Sequence, residues 1–140
     1  MQSLNLKDNT KVTDTGLKEL AGMKNLRKLD LSGSRSDDRA KVTDAGLKEL
    51  AGHKNLQWLY LSYTQVTDAG LKELAGLKSL QGLDLRVTNV TDTGLKDLAA
   101  LKSLRRLDLY GTKVTLEGVA ALQKELPECR IDAQGHFRDK

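Results

Sequence analysis

Apolar and polar residues follow two rhythms along this chain, and the two alternate. Leu29-Asp30-Leu31, Leu59-Tyr60-Leu61, Leu83-Asp84-Leu85 and Leu107-Asp108-Leu109 switch character at every residue. That period of two marks a strand with one buried face. After each of the first three, Thr-Asp (Thr115-Leu116 after the fourth) opens a segment in which apolar residues recur at i, i+3 and i+4, as with Leu71, Leu74 and Ala75. This spacing predicts a short helix with one apolar side, its threonine capping the first turn and its aspartate facing the helix dipole. Gly76 is read as the helix stop, and Leu77 and Leu80 lead back to the next strand.

The unit repeats. Val42, Val66, Val90 and Val114 stand 24 residues apart, and Lys-Val-Thr-Asp-(Ala/Thr)-Gly-Leu-Lys-(Glu/Asp)-Leu-Ala recurs almost unchanged from Lys11, Lys41, Gln65 and Asn89, with a degenerate copy from Lys113. A fixed period of this size is the mark of a solenoid. No unit can bury its apolar face alone, so stacking must supply the core. Strands stack at about 4.8 Å while helices need about 10 Å, so the stack bends with its sheet inside. The crossovers are expected to be right-handed.

The spacing Leu-x-x-Leu-x-Leu-x-x-Thr-x-Val, seen from Leu56 to Val66, resembles the leucine-rich repeat family. The continuation Thr-Asp-x-Gly-Leu-x-x-Leu is similar to its ribonuclease-inhibitor-like and cysteine-containing subtypes, as found in bacterial repeat proteins. The resemblance covers residues 3 to 131 and implies an α/β leucine-rich-repeat solenoid, a curved right-handed coil with parallel strands on the concave face and short helices on the convex face. It says almost nothing about a ligand. Thr10, Ser34, Thr64, Thr88 and Thr112 stand where Asn or Cys is commoner in the family; buried hydroxyls bonding the turn backbone are expected there.

A single domain over 1–140 is expected, with about five repeats. An insert at 35–40 interrupts the period, since Val12 and Val42 are 30 residues apart. It is read as a surface loop, with a partner-contacting rim as the alternative. Leu126-Pro-Glu-Cys129-Arg-Ile131 copies the strand motif two residues early. It predicts an edge strand at 129–131 with Cys129 in a core slot, before a polar tail at 132–140. The first unit is uncapped and offers an edge for self-association.

With the paired leucines inside, the outward columns can be read off. They are Lys28, Trp58, Gly82, Arg106; then Asp30, Tyr60, Asp84, Asp108; then Ser32, Ser62, Arg86, Tyr110. Gly33, Tyr63, Val87 and Gly111 lie on the turn beside them. The chain holds one Trp, three Tyr and one Phe, and Trp58, Tyr60, Tyr63 and Tyr110 all fall in these columns. The period does not account for them, and Trp, Tyr and Arg are the residue types enriched in binding hot spots. Trp58, Tyr60, Tyr63, Arg86, Arg106, Tyr110, Asp84 and Asp108 therefore form the candidate partner site. Gly82 leaves room for a ligand or for the indole to lie flat. Asp84 and Asp108 are read as charge partners of Arg86 or Arg106.

Composition narrows the rest. The net charge is +4, with the lysines spread through every repeat, so nucleic acid is a weak candidate. No apolar run approaches the ~18 residues of a membrane span. The start of the sequence has no signal-peptide pattern, and Cys129, the one cysteine, excludes an intrachain disulfide. A cytoplasmic chain, or one read after a removed leader, is expected. No phosphate loop, metal-ligand spacing or catalytic triad is present, so no cofactor and no enzyme activity are expected. His53, in place of an apolar residue, is read as half-buried. The expected function is a protein- or peptide-binding module working through the concave face. A carbohydrate-binding module and a self-associating scaffold fragment are the alternatives.

Overall fold

The computed structural model describes residues 2–35 and 40–133. Six parallel strands run in chain order through one sheet: β1 (Gln2–Asn5), β2 (Leu26–Asp30), β3 (Trp58–Tyr60), β4 (Gly82–Asp84), β5 (Arg106–Asp108) and β6 (Arg130–Asp132). Between them lie α1 (Asp14–Leu17), α2 (Asp44–Leu50), α3 (Asp68–Leu74), α4 (Asp92–Leu98) and α5 (Leu116–Glu125). The array is an α/β solenoid with its strands on the concave side. The last strand begins one residue later than the sequence reading has it. Residues 36–39 of the insert and the tail from 134 onward lie outside the described residues.

The core is a column of leucines. Leu29, Leu59, Leu83, Leu107 and Ile131 occupy matching register positions, and the four leucines are buried beneath the sheet. Helix residues Leu47, Leu50, Leu71, Leu74, Leu95 and Leu98 close the layer from outside. The end of the stack is less well covered: Leu4, Leu6, Val12, Leu20 and Met23 are only partly buried. There α1 has four residues and tightens into a 3₁₀ turn at Lys18–Gly22.

The polar residues of the repeat link one unit to the next. Asp44 accepts from the Thr67 backbone N–H at 2.8 Å and from the Thr67 hydroxyl at 2.6 Å. Asp14 does the same for Thr43, Asp68 for Thr91 and Asp92 for Thr115. Each threonine in turn caps its own helix, as Thr67 does by accepting from Ala69 N–H at 3.3 Å. These are charge-assisted bonds, each worth about 1.5–3 kcal/mol when partly shielded from water.

The motif glycine completes the clamp. A methyl on Gly46, Gly70, Gly94 or Gly118 would collide with the aspartate carboxylate of the preceding unit. The glycines thus make room for a neighbouring unit's carboxylate. Gly76 is not a left-handed helix stop; the described glycine with positive φ is Gly111. The helices end in tight turns such as Leu77 N–H to Leu74 C=O at 2.9 Å, which is why Ala100 can replace glycine at this position.

The exposed lysine column is also structural. Lys54 Nζ donates to Gly76 C=O at 3.4 Å, Lys78 to Ala100 C=O at 3.3 Å and Lys102 to Glu125 C=O at 3.0 Å. Each cation therefore approaches the carbonyl end of the next helix, where the dipole favours it. Inside the sheet turns, the Thr64, Thr88 and Thr112 hydroxyls donate to Leu61, Leu85 and Leu109 C=O, each at 2.7 Å and buried. Thr10, in the first unit, is exposed.

Candidate functional site

The strand register places the candidate residues in columns. Ser3, Lys28, Trp58, Gly82, Arg106 and Arg130 follow one another across the six strands, and Asn5, Asp30, Tyr60, Asp84, Asp108 and Asp132 form the next row. The second row has a structural duty. Asn5, Asp30, Asp84 and Asp108 each accept, through Oδ1, from the backbone N–H two residues on, at 2.9–3.1 Å. These side-chain turns end the strands. Tyr60 occupies that position in β3 and has no carboxylate to offer. The third unit has therefore given up a recurring structural bond for an aromatic ring.

Trp58 and Tyr60 are half-buried, not fully exposed. The indole lies over Gly82, where any Cβ would collide with Cε3 and Cζ3 of the ring. That settles the use of Gly82: it makes space for the indole to lie flat. Lys28 Nζ stands 5.4 Å from the centre of the Tyr60 ring, a cation–π contact. Tyr63 is half-buried at the turn and accepts from Arg35 Nε at 2.9 Å. That bond holds the Arg35 guanidinium more firmly protonated. Tyr110 is 48% exposed.

Arg86 pairs with Asp84 through two parallel bonds, Nε–Oδ1 at 2.9 Å and Nη2–Oδ2 at 2.6 Å. It also lies 3.5 Å from Asp108 Oδ2. The Asp84 hydrogen bond raises its affinity for the proton. Burial pushes the Asp108 carboxyl above its ordinary value; the Tyr110 N–H opposes this, and the Asp84 charge adds to it. Arg106, the other expected charge partner, makes no ion pair with a described residue. Trp58, Tyr60, Gly82, Leu83, Asp84, Arg86, Arg106 and Asp108 together line a cleft of about 230 Å³. The structure thus gathers six of the eight candidate residues into one cleft, with Tyr63 and Tyr110 outside its lining.

A larger groove of about 350 Å³ runs between α4 and α5, lined by Leu95, Ala99, Ala121 and Leu122 among others. Ala121 of α5 lines it, at the repeat position that Asp97 holds in α4. Asp92, Lys96 and Glu125 also line it, but no aromatic ring does, so size alone does not make it the better candidate.

One expectation about a titratable group changes, that for His53, while Cys129 sits in the core slot expected of it. His53 is 1% exposed, not half-buried. Its Nε2 lies 2.9 Å from Leu20 C=O and its Nδ1 3.3 Å from Leu50 C=O; a neutral ring has one N–H to donate, and the shorter contact, to Leu20 of the preceding unit, is the better hydrogen bond. Cys129 is buried at 3% exposure, and burial pushes its thiol up to about 11. The column reading stopped at β5 and so missed Arg130. Extending the register by one strand would have found it.

Comparison with known proteins agrees with this architecture. The family model described as "Leucine Rich repeat" matches residues 1–21, 52–75 and 100–122. The chain is similar to internalin C2 of Listeria monocytogenes, at 28% identity over 94% of this chain and 51% of that one, with a TM-score of 0.70. It therefore spans about half the length of that protein. It also shares the fold of a leucine-rich-repeat protein of Leptospira interrogans (24% identity, 94% of this chain, 37% of that one, TM-score 0.61). The same holds for actin-binding site 2 of leiomodin-1 (14% identity, 99% of this chain, 72% of that one, TM-score 0.56). Curated proteins gave no match. The chain carries leucine-rich repeats that match the family model and has the fold of a leucine-rich-repeat solenoid.

Proposed function

We propose that this chain is a non-enzymatic module that binds a protein or peptide through the concave cleft around Trp58. One observation carries the reading. The repeating aspartate, threonine and lysine columns hold the solenoid together, whereas Trp58 and Tyr60 interrupt their columns, and Tyr60 does so at the loss of a structural bond. Half-exposed aromatic rings beside arginines suit a hot spot, because they bring large contact area with little loss of side-chain freedom. The leiomodin-1 segment of like fold is named for binding actin, so the fold can serve protein recognition.

Selection from a random peptide display library, run beside a glycan array, tests the proposal. Peptides enriched on the wild-type chain are expected to lose about 2 kcal/mol of affinity on Trp58→Ala or Tyr60→Ala, with unchanged circular dichroism. Enrichment of glycans alone would favour the carbohydrate alternative. Selected peptides that bind both variants as well as the wild type would reject this placement. Growth of light scattering with concentration, removed by substitutions in β1, would instead favour self-association through the first strand.

A further inference from the structure

The cations of the concave side fall into two groups. Lys28 lies against the Tyr60 ring, Arg35 donates to Tyr63, and Arg86 is held by Asp84 and Asp108. Arg106 and Arg130 are both exposed, and neither has an ion-pair partner among the described residues. Yet they are register partners on adjacent strands. Like charges directly opposite each other destabilise a sheet. Among the described residues no ion pair offsets that juxtaposition, and the same column holds Ser3, Lys28, Trp58 and Gly82 in other units.

Both arginines lie in the column that starts its aromatic segment at Trp58, with only Gly82 between Trp58 and Arg106. Strands are spaced by about 4.8 Å, which puts Arg106 and Arg130 about 10 and 14 Å from Trp58 along the arc. An extended chain advances about 3.3 Å per residue, so three to five residues cover that distance. Guanidinium groups bind carboxylates in a two-pronged geometry, which makes a pair of them a receptor for acidic side chains.

We infer that the concave face recognises an acidic peptide segment, with an apolar or aromatic residue on the Trp58 indole and two or more carboxylates, three to five residues away, on Arg106 and Arg130. This rests on the concave-face reading and names the ligand chemistry within it. The wild-type net charge of +4 favours the same partner through long-range attraction.

Trp58 is the chain's only tryptophan, so its fluorescence reports on this site alone. The probe is the blocked peptide Phe-Gly-Gly-Glu-Glu-Glu, compared with Phe-Gly-Gly-Gln-Gln-Gln at low salt. The acidic peptide is expected to shift the emission with about tenfold tighter binding than its neutral twin. The double variant R106Q/R130Q should erase that difference, and its Tm should equal or exceed the wild-type value because a like-charge contact is gone. R130Q alone, at an exposed position, gives the same readout in part. The inference is overturned by no response to the acidic peptide, by equal affinities for the two peptides, or by a preference that survives R106Q/R130Q. The two levels remain separable. Display-selected ligands that are lost on Trp58→Ala but indifferent to R106Q/R130Q would overturn the acidic-peptide inference and leave the concave-face reading standing. Ligands indifferent to both would overturn both.

Discussion

The start of each helix and the middle of the concave face are built by opposite rules. At the helix starts, Asp44, Asp68 and Asp92 make the same two bonds to a threonine of the next unit, and a glycine of that unit faces each of them. On the concave face, Trp58 and Tyr60 have no counterpart in any other repeat, and the strand-ending carboxylate is missing at Tyr60. The repeated polar residue belongs to the fold; the unrepeated one has no such duty, and it is the one we propose for recognition. In a solenoid, the period itself separates the two classes.

Breaking the repeated side should have the largest effect. Gly94→Ala drives a methyl into the Asp68 carboxylate and to 3.0 Å from Leu71 Cδ1, and is expected to lower stability by about 2–3 kcal/mol in denaturant titration. In an Asp68→Ala background, itself destabilised by the unpaired Thr91 N–H, the same change should cost much less. Additive effects would show that the two residues do not share a clamp.

The unrepeated side should respond the other way. Trp58→Ala removes a half-buried ring from above Gly82. It should reduce stability by no more than about 1 kcal/mol while reducing ligand affinity by about 2 kcal/mol. A stability loss larger than the affinity loss would make the indole a structural cover.

The turns join the two sides and store strain. Tyr63 and Val87 have φ of 57° and 54°, a left-handed conformation that is unusual for any side chain and rare for a β-branched one. The ladder imposes it: Val87 N–H donates to Tyr110 C=O at 2.8 Å, and the Thr88 hydroxyl closes on Leu85 C=O at 2.7 Å. Gly111 meets the same demand with φ of 73°. Val87→Gly is expected to raise stability by about 1 kcal/mol, read as a higher denaturation midpoint at unchanged slope. A fall would mean that the Val87 side chain contributes more by packing than its backbone loses.

The smallest effect concerns pH. Burial raises the Asp108 carboxyl in the folded chain. The neutral form is therefore favoured by folding, and its contribution to stability is present below the ordinary carboxylate range and lost as pH rises through the raised value. Asp108→Asn should flatten that acid-side dependence and leave stability at neutral pH equal or slightly higher, since Asn retains an oxygen for the Tyr110 N–H. A clear loss at neutral pH would show that the contact with Arg86 outweighs the burial.

Much of this was legible because strand side chains alternate and the leucines leave no doubt about which face is inside. Register, helix caps and the grouping of Trp58, Tyr60 and the arginines all follow from that alternation. The aspartate clamp was not legible. Asp44 reads locally as the first residue of its own helix, while its partner Thr67 stands 23 residues on, one short of the period. Only stacking brings them together. The same limit hid the inter-repeat role of Lys54 and Lys78, which look like solvated charges in isolation. His53 misled for a different reason: a polar residue in an apolar column suggested partial exposure, but a carbonyl of the preceding unit accommodates it in the interior.

Amide NMR of the labelled chain with a display-selected peptide tests the central division most directly. Shifts are expected at residues 58–60, 82–86 and 106–110, while Thr67, Thr91 and Thr115 at the helix starts stay unperturbed. Perturbations gathered instead at Leu95, Ala99 and Ala121, in the groove between α4 and α5, would contradict the account.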